Sequence, residues 1–194
     1  MKMPTDRRAF LRQGATLSFA ALPFAGSVAY AETAFTFAEL VDSFSASWNR
    51  SKTYMLEVAE AMPADSYAYR PTPEIRSFAE QMLHVAASVY GFASVIKNEP
   101  IPVPQDQFNA AGKSKEVILT TLEQALDFAA SAIVEISEER ALETTPWGGR
   151  LYDGMTEMPV FGVIRVLHDH TTHHRGQAII YLRMQGIAPP TYVD

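Results

Sequence analysis

The segment HDHTTHHRGQ (residues 168–177) carries four of the five histidines in the 194-residue chain. Successive residues of an α-helix advance by about 100°, so residues four apart lie on one face, one turn apart. His170 and His174 have this spacing, and they fall with Val163 and Leu167 on the apolar side of the segment. Two imidazoles placed in this way can bind one metal ion. The pattern predicts a pair of metal ligands that point into the protein interior.

A third ligand has to come from elsewhere in the chain, and His84 is the remaining histidine. It lies in the middle of another helical segment, on a partly apolar face. Three neutral imidazoles around a divalent ion, with water completing the coordination, form an open metal site. Imidazole suits zinc, nickel, iron and copper alike, so the ligands do not identify the ion. Hydrogen-bonded core histidines without a metal are the alternative.

The neighbouring side chains offer supporting roles, although none is assigned as catalytic. His168 and His173 lie off the apolar face and are interpreted as surface residues or as residues that support the metal ligands, and His173 in particular could orient a ligand. Gln177 lies beside His170 and could hydrogen-bond a ligand histidine or a water, or be an ordinary polar residue. For Arg175, an ion pair to a neighbouring helix or a dimer partner is favoured over an anion clamp for substrate.

Four segments with apolar residues at three- and four-residue steps predict four long helices. Their predicted bounds are Phe35 to Met62, Ser77 to Asn98, Ser114 to Ile136 and Pro159 to Gly186. Ser77 and Glu80 have the spacing of a capping box, which marks the start of the second helix. No strand is predicted, Trp48 is expected in the core, and Trp147 could wall a pocket in a long loop. The pattern predicts an all-α fold, a single-domain four-helix bundle.

The first 31 residues have the composition of an export signal. Paired arginines in TDRRAFLR (residues 5–12) precede an apolar run, and Ala29-Tyr30-Ala31 offers small residues at the positions that a signal peptidase reads. This predicts a twin-arginine (Tat) signal peptide at 1–31, a mature domain at 32–194, and a periplasmic or extracytoplasmic location. A retained membrane anchor is the alternative, but the apolar run is short and rich in Ala, Ser and Gly.

Charge and composition exclude several classes of function. The chain has a formal charge of −6, and because four basic residues and one acidic residue lie in the leader, residues 32–194 have a charge of −9. An acidic domain without a basic stripe is a poor nucleic-acid binder, so no nucleic-acid partner is expected. The chain has no cysteine, which excludes disulfides, thiolate ligands and a cysteine nucleophile. No membrane partner is expected once the leader is cleaved.

The sequence resembles the DinB-like (DinB/YfiT) superfamily of metal-binding four-helix-bundle proteins. The resemblance rests on HTTHHRGQ at 170–177, AIIYLRMQG at 178–186, and YRP at 69–71 followed by SFAEQMLHV at 77–85. It extends in order over essentially the whole of residues 32–194. The family's ligands are the histidine of the second helix and the two histidines of HxxxH, which correspond to His84, His170 and His174. Asp169 replaces an asparagine that is common there, and many relatives are cytoplasmic, without a Tat leader.

The resemblance implies a metal-dependent thiol transferase or isomerase that binds a low-molecular-weight thiol at the metal and acts on a small-molecule substrate. Because the chain has no cysteine, such a thiol has to come from a cosubstrate. Hydrolysis by metal-activated water is the alternative chemistry. A zinc protease is disfavoured, because no glutamate follows the first histidine of the pair as in HExxH. A non-catalytic metal-binding or stress-related bundle and a bundle without metal stay open, and the protein could form a homodimer.

Overall fold

A computed structural model of the chain describes residues 35–146 and 156–192. The four long helices in these ranges are α1 (Phe37–Ala61), α2 (Phe78–Lys97), α3 (Lys115–Val134) and α5 (Val160–Met184), and α4 (Glu138–Leu142) is short. Strands β1 (Thr144–Pro146) and β2 (Glu157–Pro159) precede α5, and 3-10 turns at Ala64–Ser66 and Gln105–Phe108 lie in the connections. The predicted all-α bundle is confirmed, and the long helices start and end within two residues of their predicted bounds.

The expectation that the chain has no strand is wrong for the segment between α3 and α5. β1 and β2 pair antiparallel, with Thr145 opposite Met158. Strands of three residues are too short to show the alternation of apolar and polar residues that predicts a strand. The hairpin fixes the start of α5, since the backbone N–H of Val160 donates to Glu143 O at 2.9 Å. Residues 147–155, which include Trp147, lie outside the described part of the chain.

The long helices are arranged so that α1 and α2 each pack against both α3 and α5. This pairing puts α1 and α2 at opposite corners of the bundle and gives α5 one side toward α1 and another toward α2. The apolar positions predicted for α5 are all buried: Val160, Val163, Ile164, Leu167, Ala178, Tyr181 and Leu182. Val117, at the start of α3, departs from the predicted inward pattern and is 47% exposed.

The start of α2 is fixed by the predicted capping box. The Ser77 hydroxyl accepts from the backbone N–H of Glu80 at 3.2 Å, and the Glu80 carboxylate accepts from the Ser77 N–H at 2.7 Å. Arg70 donates to both oxygens of the same carboxylate, at 3.0 and 2.9 Å. His84 lies two turns further along α2, so these contacts also set its position.

The ends of α5 lie close to the predicted bounds, Pro159 and Gly186, with a shift of one residue at its start. Pro159 is the N-cap rather than a residue of the first turn, because it is also the last residue of β2. Gly186 has φ of 73°, a conformation that glycine adopts without steric cost. The N–H of Ile187 donates to Leu182 O at 2.9 Å, which closes the C-terminal end of the helix.

By length and composition alone, α3 could cross a membrane. Its buried residues, however, face the bundle, and Leu126 O accepts from the indole N–H of Trp48 at 3.1 Å. Trp48 is 1% exposed and lies in the core as predicted. The apolar character of α3 is therefore accounted for by its packing against α1 and α2.

We expect Ser77→Ala to lower the free energy of unfolding by about 1 kcal/mol, because the first turn of α2 loses a capping hydrogen bond. Urea unfolding followed by circular dichroism measures the change. Ser43→Ala is the matched control, since Ser43 is exposed inside α1 and alanine is the better helix former. A loss of similar size in both variants would contradict a specific role for the cap.

Candidate metal centre

Three histidine side chains meet between α2 and α5. His84 comes from α2, and His170 and His174 come from successive turns of α5. Nε2 of His174 lies 3.1 Å from Nε2 of His84 and 3.1 Å from Nε2 of His170. The three ligand atoms all lie within 4.8 Å of one another. This histidine group consists of the three residues that helical spacing selects as metal ligands.

The distances within the histidine group suit a shared metal ion. Zinc binds imidazole nitrogen at about 2.0–2.1 Å, and tetrahedral geometry then places two ligand nitrogens about 3.3 Å apart. The observed separations of 3.1 Å are close to this value. Among the described residues the group contains no carboxylate, so three neutral ligands would leave a coordination position for water or substrate.

Two glutamines lie on the Nδ1 side of the His174 ring, and Gln177 orients it. Oε1 of Gln177 lies 3.0 Å from His174 Nδ1, and it also accepts from Nε2 of Gln81 at 2.7 Å. The Gln81 amide itself lies 2.7 Å from Nδ1. When Nδ1–H donates to an amide oxygen, the lone pair of Nε2 is left for a metal ion. Gln177 also donates from Nε2 to His173 at 2.9 Å, which joins His173 indirectly to the histidine group.

His170 is held in a different way. Its Nδ1 is buried, and no described residue hydrogen-bonds to it. The ring of Phe92, on α2, packs edge-on against the imidazole with 5.3 Å between ring centroids. Packing therefore orients His170, whereas hydrogen bonds orient His174.

The environment keeps the histidine group uncharged at neutral pH. Burial lowers the pKa of His84 and of His170 to about 4 each, and it also lowers the pKa of His174. The positive charge of Arg76 adds to the lowering at all three, because a second positive charge nearby is disfavoured. Neutral imidazole is the form that binds a metal, so the group is ready to bind at neutral pH.

A cavity of about 730 Å³ lies beside Gln81 and Gln177, on the Nδ1 side of His174, and none of the three histidines lines it directly. Gln81 and Gln177 line the cavity and also contact His174, so they connect the cavity to the histidines. Ile180 and Met184 contribute apolar wall, Arg76 contributes a positive charge and Glu74 a negative one. The volume and the mixture of apolar wall with a few polar groups suit a small-molecule ligand.

Arg175 faces α1 instead of the histidine group. Its Nη1 donates to the hydroxyl of Ser51 at 2.7 Å and to the Ser51 carbonyl at 3.3 Å. The ring of Tyr54 lies 4.9 Å from the guanidinium carbon. The expected contact with a neighbouring helix is present, but among the described residues its partners are uncharged rather than a carboxylate.

The two histidines interpreted as surface residues have different environments. His173 is exposed, as predicted. His168 is half-buried on the side of α5 that faces α1, with Nε2 at 3.3 Å from the Ser47 hydroxyl, and is therefore less exposed than a surface residue. The reason is that the apolar face of α5 is wide enough to contact two helices, and His168 lies at its α1 edge.

Sequence spacing did not identify two residues near the site, Gln81 and Arg76. Gln81 precedes His84 by three positions and shares its face of α2, so a search for polar residues one turn from a ligand could have found it. Arg76 lies before α2 begins, and no spacing rule relates it to α5. Its proximity to the histidines depends on the tertiary structure alone.

Comparisons with known proteins agree with this architecture. The model of the DinB family matches residues 35–193. The chain is 25% identical over 130 residues to the uncharacterized protein YjoA of Bacillus subtilis (strain 168), covering 67% of this chain and 80% of that protein. Two solved structures have the same fold. A DinB-like protein from Bacillus cereus ATCC 10987 gives a TM-score of 0.61 at 18% identity, over 78% of this chain and 97% of that one. The structure of B. subtilis YjoA gives a TM-score of 0.60 at 18% identity, over 77% of this chain and 96% of that one.

We expect the metal-free chain to lose stability as the pH falls from about 6.5 to about 4. Unfolded histidine has a pKa near 6.5, whereas folded His84 and His170 have a pKa of about 4. The unfolded chain therefore binds more protons in this window, which favours unfolding. Above about pH 7.5 these groups are neutral in both states and add no pH dependence. Urea unfolding in the presence of a chelator, at intervals of half a pH unit, measures the slope.

Carboxylates also titrate in the lower part of this window, so a variant is needed to separate their effect. His170→Leu removes one histidine whose pKa is lowered by burial. Between pH 6.5 and 5, the free energy of unfolding of this variant should change less steeply with pH than that of the parent chain. Equal slopes in the two proteins would show that burial of the histidines does not set the pH dependence.

Proposed function

The chain belongs to the DinB family, and from this premise we propose that it is a metal-dependent enzyme that binds one divalent ion through His84, His170 and His174. The observation that carries the proposal is the convergence of three Nε2 atoms, with successive separations of 3.1 Å, beside a cavity of small-molecule size. A divalent ion in this position would act as a Lewis acid and lower the pKa of a coordinated water or thiol. Zinc, nickel and iron all suit the ligands.

The protein residues around the ion would bind and orient the reactants. Gln177 and Gln81 fix the ring of His174, and His173 supports Gln177 from the surface. Arg76 would bind an anionic group of a ligand in the cavity, and the apolar wall beside it would bind a hydrocarbon portion.

The reaction that we propose is transfer of a low-molecular-weight thiol to a small electrophilic substrate. Family resemblance supports this choice, and the absence of cysteine means that the thiol would be a cosubstrate. Arg76 and Glu74, which both line the cavity, suit a thiol that carries a carboxylate together with an amino group. Hydrolysis would use the same open coordination position, so the two reactions have to be separated by assay.

We expect protein purified from cells that express the full chain to hold close to one divalent ion per chain. His170→Ala combined with His174→Ala should lose the ion, because one remaining imidazole is a weak site. His168→Ala is the matched control, since His168 belongs to the same helix but faces α1, and it should keep the ion. Elemental analysis measures the content and identifies the metal.

Activity is measured on the same three proteins. Transfer of a carboxylate-bearing thiol to an electrophile should be present in the parent and in His168→Ala, and absent in the double variant. Ester hydrolysis without thiol transfer would replace the transferase proposal by the hydrolase alternative. Bound metal with neither activity would favour a non-catalytic metal-binding protein, and no metal with unchanged thermal stability would remove the proposal altogether.

We also propose export through the Tat pathway, supported by the paired arginines in TDRRAFLR and the small residues at 29–31. Tat carries folded proteins, so the metal would be acquired before export, where its supply is controlled. Arg7→Lys with Arg8→Lys should retain the protein in the cytoplasm, as judged by cell fractionation. Arg12→Lys, outside the pair, should be exported normally. Equal export of all variants would contradict a Tat signal.

A further inference from the structure

A second polar pocket, of about 80 Å³, lies on the side of α5 that faces α1. We call it the α1–α5 pocket. Arg50 of α1 and Arg175 of α5 line it together with His168. The remaining wall carries hydroxyl groups, which belong to Ser47, Ser51, Tyr54 and Tyr192. None of the described residues that line it is acidic, in a chain whose formal charge is −6.

Arg175 is the unusual member of this pocket, because its charge is buried without a described counter-charge. The residue is 7% exposed. Its described contacts engage Nη1, through Ser51, and the face of the guanidinium, through Tyr54. A buried charge is costly unless it is paired, and buried arginines are normally paired with an anion. A guanidinium also carries five N–H donors in a planar fork, which two bonds to Ser51 from one nitrogen do not satisfy.

The other groups that line the pocket also favour an anion. Arg50 brings a second positive charge, and the Ser51 hydroxyl, which accepts from Arg175, can donate its own proton to an anionic oxygen. The Tyr54 hydroxyl already donates to Pro190 O at 3.2 Å. The volume admits a group of a few non-hydrogen atoms rather than a whole cofactor. Planar guanidinium groups match the oxygen spacing of carboxylate, sulfate and phosphate.

We propose that the α1–α5 pocket binds one small oxyanion, a carboxylate, sulfate or phosphate group, as the counter-charge of Arg175. This site is separate from the histidine group, which faces α2. A groove of about 330 Å³ adjoins it and shares Arg50 and Tyr54 as lining residues. The groove gives room for the rest of an organic molecule whose anionic group occupies the pocket.

The test is thermal unfolding of the metal-loaded chain with increasing sodium phosphate, sodium sulfate or sodium acetate. Sodium chloride at equal ionic strength is the reference. The midpoint should rise and saturate with at least one oxyanion, and calorimetric titration should give one site per chain. A response to acetate identifies a carboxylate site, and a response to phosphate or sulfate alone identifies a tetrahedral-anion site. No saturable response to any of the three salts would overturn the proposal.

Two variants separate specific binding from screening of the overall charge. Arg175→Met should lose the response, because it removes the fork of donors but keeps a long side chain. Arg183→Met, at an exposed position of the same helix, changes the net charge equally and should respond as the parent does. If Arg175→Met does not fold, Arg50→Met decides the matter, since Arg50 is exposed. It should bind the oxyanion about tenfold more weakly. Unchanged affinity in Arg50→Met would count against the pocket.

An open metal ion can also bind phosphate, so the histidine group has to be tested apart. His84→Ala alters that group from α2 without touching the α1–α5 pocket, and it should keep the oxyanion response. A response that is lost in His84→Ala and kept in Arg175→Met would place the anion at the metal and overturn the proposal. Failure of this proposal leaves the metal content and activity of the parent chain unaffected.

Discussion

The packing of α2 against α5 is the constraint on which the site depends. Neither helix carries all three histidines of the group, because α5 supplies two imidazoles one turn apart and α2 supplies the third. Apolar residues on both helices hold this interface in place, and polar groups are brought together inside it. The free energy of apolar burial therefore positions histidines whose desolvation is unfavourable in itself.

The hydrogen bonds around His174 also join α2 to α5. Gln81 belongs to α2, and Gln177 belongs to α5, so their contact crosses the same helix interface as the three histidines. Gln177 thereby holds His174, and Gln81 holds Gln177, so a relative shift of the helices would alter both the spacing of the three histidines and the ring orientation of His174. His170 depends on packing against Phe92 instead, which ties its orientation to the same interface.

The width of the inward face of α5 explains why one helix serves two polar regions. A helix that packs against two neighbours buries a wide part of its surface. Residues about 100° apart around the helix axis then face different partners. His170 and His174 contact α2, whereas His168 and Arg175 contact α1. The bundle thus keeps a neutral histidine group and a strongly positive pocket on separate sides of the same helix. Because the two regions lie apart, an acidic chain can carry both an uncharged histidine group and a positively charged pocket.

The sequence by itself determined the number of long helices, the start of α2, the end of α5 and the choice of the three histidines. Helical periodicity is a local property, and Ser77, Gly186 and the spacing of His170 and His174 all act within one or two turns. The β1–β2 hairpin was not predicted because pairing across a connection leaves little trace in strands of three residues. Only the tertiary structure decided which helix each edge of α5 faces. Arg76 and Gln81 adjoin the histidines for this reason. His168 and Arg175 face α1 for the same reason. These relations depend on the packing of helices distant in sequence, which no local spacing rule encodes.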